Sequence, residues 1–211
     1  MSEALEIYPQ MIDSALFTAQ LRKRWYWTNI KTCSTMFDKV VCFPLPKDKG
    51  ILLQDILEHG YTDRKKARAI LESESRLHQD MDLMYKRYKS IGFGNIVYQL
   101  NPNKESGGQQ PYMQNRVYSA KGKHTALTES HANRTQIAFE YKGKFKIRPL
   151  TQTELERLQG FPDGITSMLT KNQAASLLGD GWTLPVIEYQ ISFMDKSKFE
   201  IRKNECSTAL C

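Results

Sequence analysis

No stretch of this chain approaches the roughly 18 consecutive apolar residues of a membrane span, so the sequence predicts no membrane-spanning helix. Cysteine is sparse. The four present, Cys33, Cys42, Cys206 and Cys211, form no CxxC pair and have no histidine cluster beside them. That removes the common zinc patterns, and it makes reduced thiols the expected state. The first residues, MSEALEIYPQ, are mixed and acidic. They lack the basic start and apolar core of a secretory signal. Neither an internal repeat nor a low-complexity segment is present. What remains is an ordinary globular composition: 211 residues, 40% hydrophobic and 25% charged. This length is enough to bury a sizeable core.

Acidic charge is also scarce in one place. The formal net charge is +7. Between positions 86 and 148 there are twelve Lys or Arg and only three acids, Glu105, Glu129 and Glu140. Tyr88, Tyr98, Gln99, Gln110, Tyr112, Gln114, Asn115 and Tyr118 interleave with those cations. Ammonium and guanidinium groups suit phosphates, while amides and guanidiniums suit base edges. A solvated basic face and a nucleic-acid surface both have this composition; the aromatic and amide interleaving favours nucleic acid.

Local patterns predict the elements. The first ten residues read as one or two helical turns. Trp25, Tyr26, Trp27 and Ile30 read as a strand. Pro44 and Pro46, with Lys47-Asp48-Lys49-Gly50, mark an exposed connection. Residues 51–57 read as a short helix. Residues 63–89 read as a longer one, capped by Asp63, with apolar positions at three-and-four spacing. Short β-rich pieces follow at 96–100, 116–119, 135–141 and 144–147, the last two joined by a Lys142-Gly143 hairpin turn. Thr151 starts a helix, with Glu154 completing a capping box. Residues 171–178 form another, ended by Gly179. The tail from 195 is polar.

Two blocks carry chemistry. Gln20-Leu21-Arg22-Lys23-Arg24 has the form QxRxR and is followed by WYWTN. On a single strand, Gln20, Arg22 and Arg24 share one face and require an anion or polar ligand opposite. The second block runs from Arg148 as RPLTQTELERLQGFPDGIT and closes with NQAASLLGDGWTLPVIEYQI. Together these blocks closely resemble motifs VIII, IX and X of the DNA cytosine-5 methyltransferases. The first block and the tryptophan at 182 are similar to the mammalian de novo group, and the run QNRVYSAKGKHTALTES resembles phage-type members.

The resemblance implies an α/β (mixed) fold. It would hold part of a Rossmann-like, S-adenosylmethionine-dependent methyltransferase domain and a small β-rich target-recognition domain. The implied layout is 1–31, the end of the catalytic domain with motif VIII; 32–147, target recognition; 148–170, motif IX; 171–194, motif X; and a tail at 195–211. It assigns Arg24 to the flipped cytosine near O2, with Arg22 and Gln20 in support. A fixed guanidinium there stabilises the negative charge that develops when a thiolate adds to carbon 6. Asp180, Gly181 and Trp182 are assigned to S-adenosylmethionine; the alternative for Trp182 is a core aromatic. Arg116, Lys121, Lys123, Thr125 and Arg148 are assigned to double-stranded DNA. Arg148, Glu154 and Arg157 are read first as a brace for the recognition domain, with direct DNA contact by Arg148 as the alternative. His124 and His131 are expected to be exposed and without catalytic role. A cytoplasmic location, in a bacterial or phage-infected cell, follows from the same resemblance.

The family's Pro-Cys nucleophile, its DxFxGxG cofactor loop, its acidic ribose ligand and its Glu-Asn-Val acid are not in this sequence. Gly92-Phe93-Gly94 lacks the preceding aspartate and strand–loop–helix setting of a cofactor loop. Three readings stay open: a subunit that works with a separate N-terminal-half protein, a truncated remnant, or a non-catalytic DNA-binding or regulatory module. The first predicts exposed apolar surface around Leu16, Phe17, Leu184 and Val186.

Overall fold

Helices and strands follow one another here without a regular βα repeat. In chain order they are α1 (Ser2–Leu5), β1 (Ile7–Tyr8), β2 (Gln10–Asp13), a 3-10 turn (Ser14–Leu16), β3 (Gln20–Leu21), β4 (Lys23–Tyr26), β5 (Thr32–Ser34) and β6 (Lys39–Val41). Then come α2 (Leu53–Ile56), α3 (Met81–Ser90), a 3-10 turn (Lys104–Ser106), β7 (Val117–Ser119), β8 (His124–Thr125), β9 (Gln136–Tyr141) and β10 (Lys144–Pro149). The chain closes with α4 (Gln152–Gln159), α5 (Lys171–Asp180) and α6 (Leu184–Ile191). The structure is a computed structural model that describes residues 2–58, 81–91, 97–112, 115–128 and 136–194.

The architecture is mixed α/β, as expected. Among the described residues the strands form two three-stranded sheets, β1-β6-β5 and β10-β9-β7, and two pairs, β2-β4 and β3-β8. The chain divides into two compact units. The first holds Met1–Ile12, Arg24–Leu45 and Val186–Cys211; the second holds Asp13–Lys23 and Pro46–Pro185. This differs from the expected boundary at residue 32. The β5–β6 hairpin pairs with β1 through Ile7 opposite Lys39, so backbone hydrogen bonding ties it to the N-terminus.

In the first unit, Cys33 and Cys42 form a disulfide across that hairpin, with Cα atoms 5.8 Å apart. This corrects the expectation of reduced thiols. The pairing followed from no spacing rule; it required the hairpin register. Phe43, Tyr189 and Phe193 pack as tilted and edge-on rings, and Lys31 Nζ lies 4.5 Å from the Phe193 ring centre. Gln10 holds the backbone of Phe43 at both its N–H and its carbonyl.

The second unit contains the main core. Leu53, Met84, Leu100, Val117, Leu127, Ile137, Leu150, Leu155 and Leu158 are all buried together there. β9 and β10 form its longest ladder, Tyr141 opposite Lys144 through Gln136 opposite Pro149. Lys142 and Gly143 turn at φ +50° and +71°, the left-handed backbone that a two-residue hairpin loop demands. α3 packs against this ladder through Tyr85 and Tyr88, whose rings lie 5.5 and 5.4 Å from that of Phe145. The residues predicted as the earlier part of that helix, including its Asp63 cap, lie outside the described residues.

α4 begins as read from the sequence: Thr151 Oγ1 accepts from Glu154 N, and the Glu154 carboxylate accepts from Thr151 N. α5 departs from the expectation. It runs through Gly179 to Asp180, and Gly181 supplies the cap. A helical glycine costs about 1 kcal/mol relative to alanine, which packing elsewhere in the helix overcomes. The predicted strand over Trp25–Ile30 is shorter, ending at Tyr26.

Candidate functional site

The QxRxR block is not one strand. β3 ends at Leu21, pairing in parallel with β8, and β4 starts at Lys23 and pairs with β2. Arg22 lies between them, where the chain changes strand partners. Gln20 and Arg22 are buried, whereas Arg24 is exposed, so the three do not present one face. A strand interrupted at its middle residue loses the two-residue periodicity on which the common face rests.

Arg22 has a defined task in the second unit. Its Nη1 donates to Leu127 O at 2.7 Å, and its Nη2 donates to Gly179 O at 3.1 Å and Gly181 O at 3.0 Å. The last carbonyls of a helix have no partner within it, and they sit at the negative end of its dipole. Arg22 supplies both the donors and the positive charge for the end of α5. A second link lies beside it: Ser14 Oγ donates to Thr183 Oγ1 at 2.8 Å, and Thr183 Oγ1 donates to Gln159 Oε1 at 3.1 Å. The segment from Asp13 to Arg22 is thereby joined to the GFP turn and to the Gly179-Asp180-Gly181-Trp182 corner.

At that corner Asp180 is exposed and Trp182 is 67% exposed. The ring of Trp182 is thus no core aromatic. A carboxylate and an indole two residues apart suit a ligand that carries both hydroxyl or ammonium groups and a flat ring. The Gly181 backbone is committed to Arg22 and, through its N–H, to Leu177 O at 2.9 Å.

Two of the five residues expected to face DNA are inside the protein. Lys123 is fully buried. Its ammonium donates to Ala15 O at 2.7 Å, Ile51 O at 3.0 Å and Thr18 O at 3.1 Å, and pairs with Asp48 Oδ1 at 3.3 Å. A buried cation needs such a shell of oxygens, and this one pins the turn before β3 to the loop before α2. Arg148 is also buried, with two 2.6 Å hydrogen bonds to the Glu154 carboxylate and its guanidinium 5.0 Å from the Phe139 ring centre. This is the bracing role. Arg116 and Lys121 are half-buried: Arg116 Nε donates to Pro111 O at 3.2 Å, and Lys121 Nζ lies 4.9 Å from the Tyr88 ring centre. Thr125, also half-buried, pairs with Leu21 across β3–β8.

His124 is not exposed as expected. It is buried next to Tyr118, with ring centres 5.5 Å apart, and Gln20 sits opposite it in the β3–β8 register. Burial lowers its pKa to about 4, opposed by a hydrogen bond to Thr125 O. Its Nε2, and both amide atoms of Gln20, have no protein partner. His131 lies outside the described residues.

The apolar surface expected around Leu16, Phe17, Leu184 and Val186 is not exposed at those positions. Phe17 and Val186 are buried, and Leu16 and Leu184 half-buried. Ile165, Met168, Leu177 and Trp182 are exposed apolar side chains of the second unit. Sequence reasoning also missed the Lys123 shell. Its only signal was a lysine between Gly122 and His124 at the start of a short β segment, which composition cannot separate from a surface cation.

Residues 5–195 match the family model for "C-5 cytosine-specific DNA methylase". Among solved structures the chain is similar to the crystal structure of the S. pombe Dnmt2 methyltransferase, with 15% identity and a TM-score of 0.47. That similarity covers 92% of this chain and 57% of the other, so this chain spans little more than half of its length. No curated protein matches.

Proposed function

The chain belongs to the C-5 cytosine-specific DNA methylase family, and on that premise we propose that it is the C-terminal part of such an enzyme. In this reading it binds duplex DNA and helps transfer a methyl group from S-adenosylmethionine to carbon 5 of a flipped cytosine. The observation that carries the reading is the Arg22 bridge. It joins the QxRxR block to the Gly179–Gly181 corner, two blocks far apart in sequence that the family uses in one active site.

Each role follows from a side chain. Arg24, exposed on β4, offers a guanidinium to the charge that builds on the cytosine ring. Arg22 is buried and acts by tying its own segment, two residues before Arg24, to the end of α5, and Gln20 is buried opposite His124. Asp180 and Trp182 would hold one edge of S-adenosylmethionine, the carboxylate on its polar groups and the indole on its adenine. When bound, that cofactor supplies an electrophilic methyl on its sulfonium. The nucleophilic thiolate and the main cofactor loop are supplied by residues outside this sequence, on the same polypeptide or on a partner protein carrying the N-terminal half. The similarity to phage-type enzymes and the de novo group belongs to this proposal, as does a cytoplasmic site of action.

The test is reconstitution. The chain is combined with a family N-terminal half that carries the Pro-Cys loop, and methyl transfer to duplex DNA is measured. Arg24→Ala is expected to slow transfer by 10²-fold or more, the order expected for one charge-stabilising donor, while weakening duplex binding only slightly. Equal losses in transfer and binding would reduce Arg24 to a DNA anchor. Duplex binding with no transfer in any combination would leave a non-catalytic DNA-binding module.

A further inference from the structure

The hairpin of β9 and β10 carries a cation cluster that the sequence reading did not single out. Along β10, Lys144 and Lys146 are exposed, while Phe145 and Ile147 turn to the opposite side and are half-buried. The register sets Tyr141 against Lys144 and Phe139 against Lys146 on the lysine side. Lys142 occupies the turn. Its Nζ lies 5.3 Å from the Tyr141 ring centre, and the Lys146 Nζ lies 5.1 Å from it. Two ammonium groups thus lie by one tyrosine, with Lys144 as its cross-strand partner, at the tip of the longest ladder among the described residues. The single acid of the hairpin, Glu140, is opposite Phe145 on the other side, where Lys89 holds it at 2.5 Å. No carboxylate of the hairpin neutralises the lysine side.

We propose that this tip is a sequence-independent grip on the phosphate backbone of duplex DNA, formed by Lys142, Lys144 and Lys146 beside Tyr141. The proposal rests on the reading of the chain as a duplex-binding part of a methyltransferase, and it moves the phosphate contacts away from the buried Lys123 and Arg148. Alternate residues of an antiparallel strand are about 6.8 Å apart. One DNA strand carries a phosphate about every 3.4 Å of helix axis, and because the strand also winds around that axis successive phosphates lie roughly twice that far apart in space, so Lys144 and Lys146 match neighbouring phosphates. The Tyr141 ring attracts the stems and charges of Lys142 and Lys146, which limits the side-chain entropy lost on contact. Arg148, on the same side, is buried against Glu154 and Phe139, and the exposed tip itself carries no arginine or amide, the groups that read base edges. It therefore contributes affinity without selectivity.

The experiment is a titration of a fluorescent duplex with the full chain across a series of NaCl concentrations, with no methyl transfer required. Three neutralised phosphate contacts change the slope of log affinity against log salt by about 2.7. The K142A/K144A/K146A chain is expected to lose that much slope and to bind cytosine-site and scrambled duplexes with equal loss. A charge-matched control, K39A/K47A/K49A, is expected to keep the wild-type slope; these three lysines are exposed and lie outside the hairpin. Far-UV circular dichroism and urea unfolding check that both variants fold. An unchanged slope in the hairpin variant, or the same loss in the control, overturns the grip. Absence of duplex binding by the wild-type chain overturns the parent reading along with it, whereas binding with an unchanged slope overturns the grip alone.

Discussion

Arg148 and Glu154 form the structural brace that the sequence suggested, in place of a DNA contact by Arg148. The Glu154 carboxylate is fully buried, and it takes both nitrogens of Arg148 together with the backbone N–H groups of Thr151 and Glu58. Removing the carboxylate leaves a guanidinium without its counter-charge. Glu154→Ala is expected to cost about 3–5 kcal/mol in urea unfolding. The double change Arg148→Met with Glu154→Leu is expected to cost well under the sum of the single changes, because no isolated charge remains. Additive losses would show that the pair is not coupled. His124 gives a second prediction at this scale. Its pKa falls from an ordinary 6.5 to about 4 because burial disfavours the charged ring. Its protonation therefore favours the unfolded chain. The stabilisation held by the neutral ring is complete above about pH 6.5 and is lost as pH falls towards 4, by about 3 kcal/mol in all. Urea unfolding of wild type and His124→Phe across that window is expected to show the wild type losing about that much more; parallel curves would contradict it.

Glycine 160 matters at the scale of the element. It ends α4 at φ +79°, and its N–H donates back to Arg157 O at 3.0 Å. A Cβ there would lie 2.3 Å from Pro185 Cδ and 2.5 Å from Pro185 Cγ. The Gly-Phe-Pro turn is thus fixed twice, by a left-handed cap and by the close approach of the residue that follows the Trp182 corner. Gly160→Ala is expected to destabilise the chain by about 2–4 kcal/mol through strain and overpacking together. A loss below about 1 kcal/mol in urea unfolding would mean that Pro185 moves aside freely. The hairpin β9–β10, the capped start of α4 and the existence of α5 were all readable locally, because each rests on neighbouring residues: a two-residue turn, a capping box and apolar spacing. The end of α5 was not. Its last carbonyls are satisfied by Arg22, about 160 residues earlier in the chain, and no local rule sees that donor.

For the whole molecule, the division into two units is the feature least legible in the sequence. The chain enters the second unit at Asp13, leaves it at Arg24 and returns at Pro46. A linear reading draws boundaries at motif edges and turns, whereas contacts assign β5 and β6 to the unit that holds β1. The same limit applies to the exposed apolar groups. Hydrophobicity marks Phe17 and Val186 as readily as Leu177 and Trp182, and only packing decides that the first two are covered and the last two are not. Reconstitution with a Pro-Cys half is the experiment that belongs to this scale, because it asks what the molecule does with a complete set of catalytic groups.

The sequence by itself determined the family, the basic stretch and the two blocks that resemble the family's motifs. These are matters of residue type and order, which do not depend on packing. Tertiary structure alone decided which cations are available. Lys123, Arg148 and Arg22 each lie inside a shell of protein oxygens, while Lys142, Lys144 and Lys146 are exposed at the β9–β10 hairpin. A lysine or arginine has the same letter in either setting. Whether its charge serves the fold or a ligand depends on which oxygens the folded backbone brings within about 3 Å.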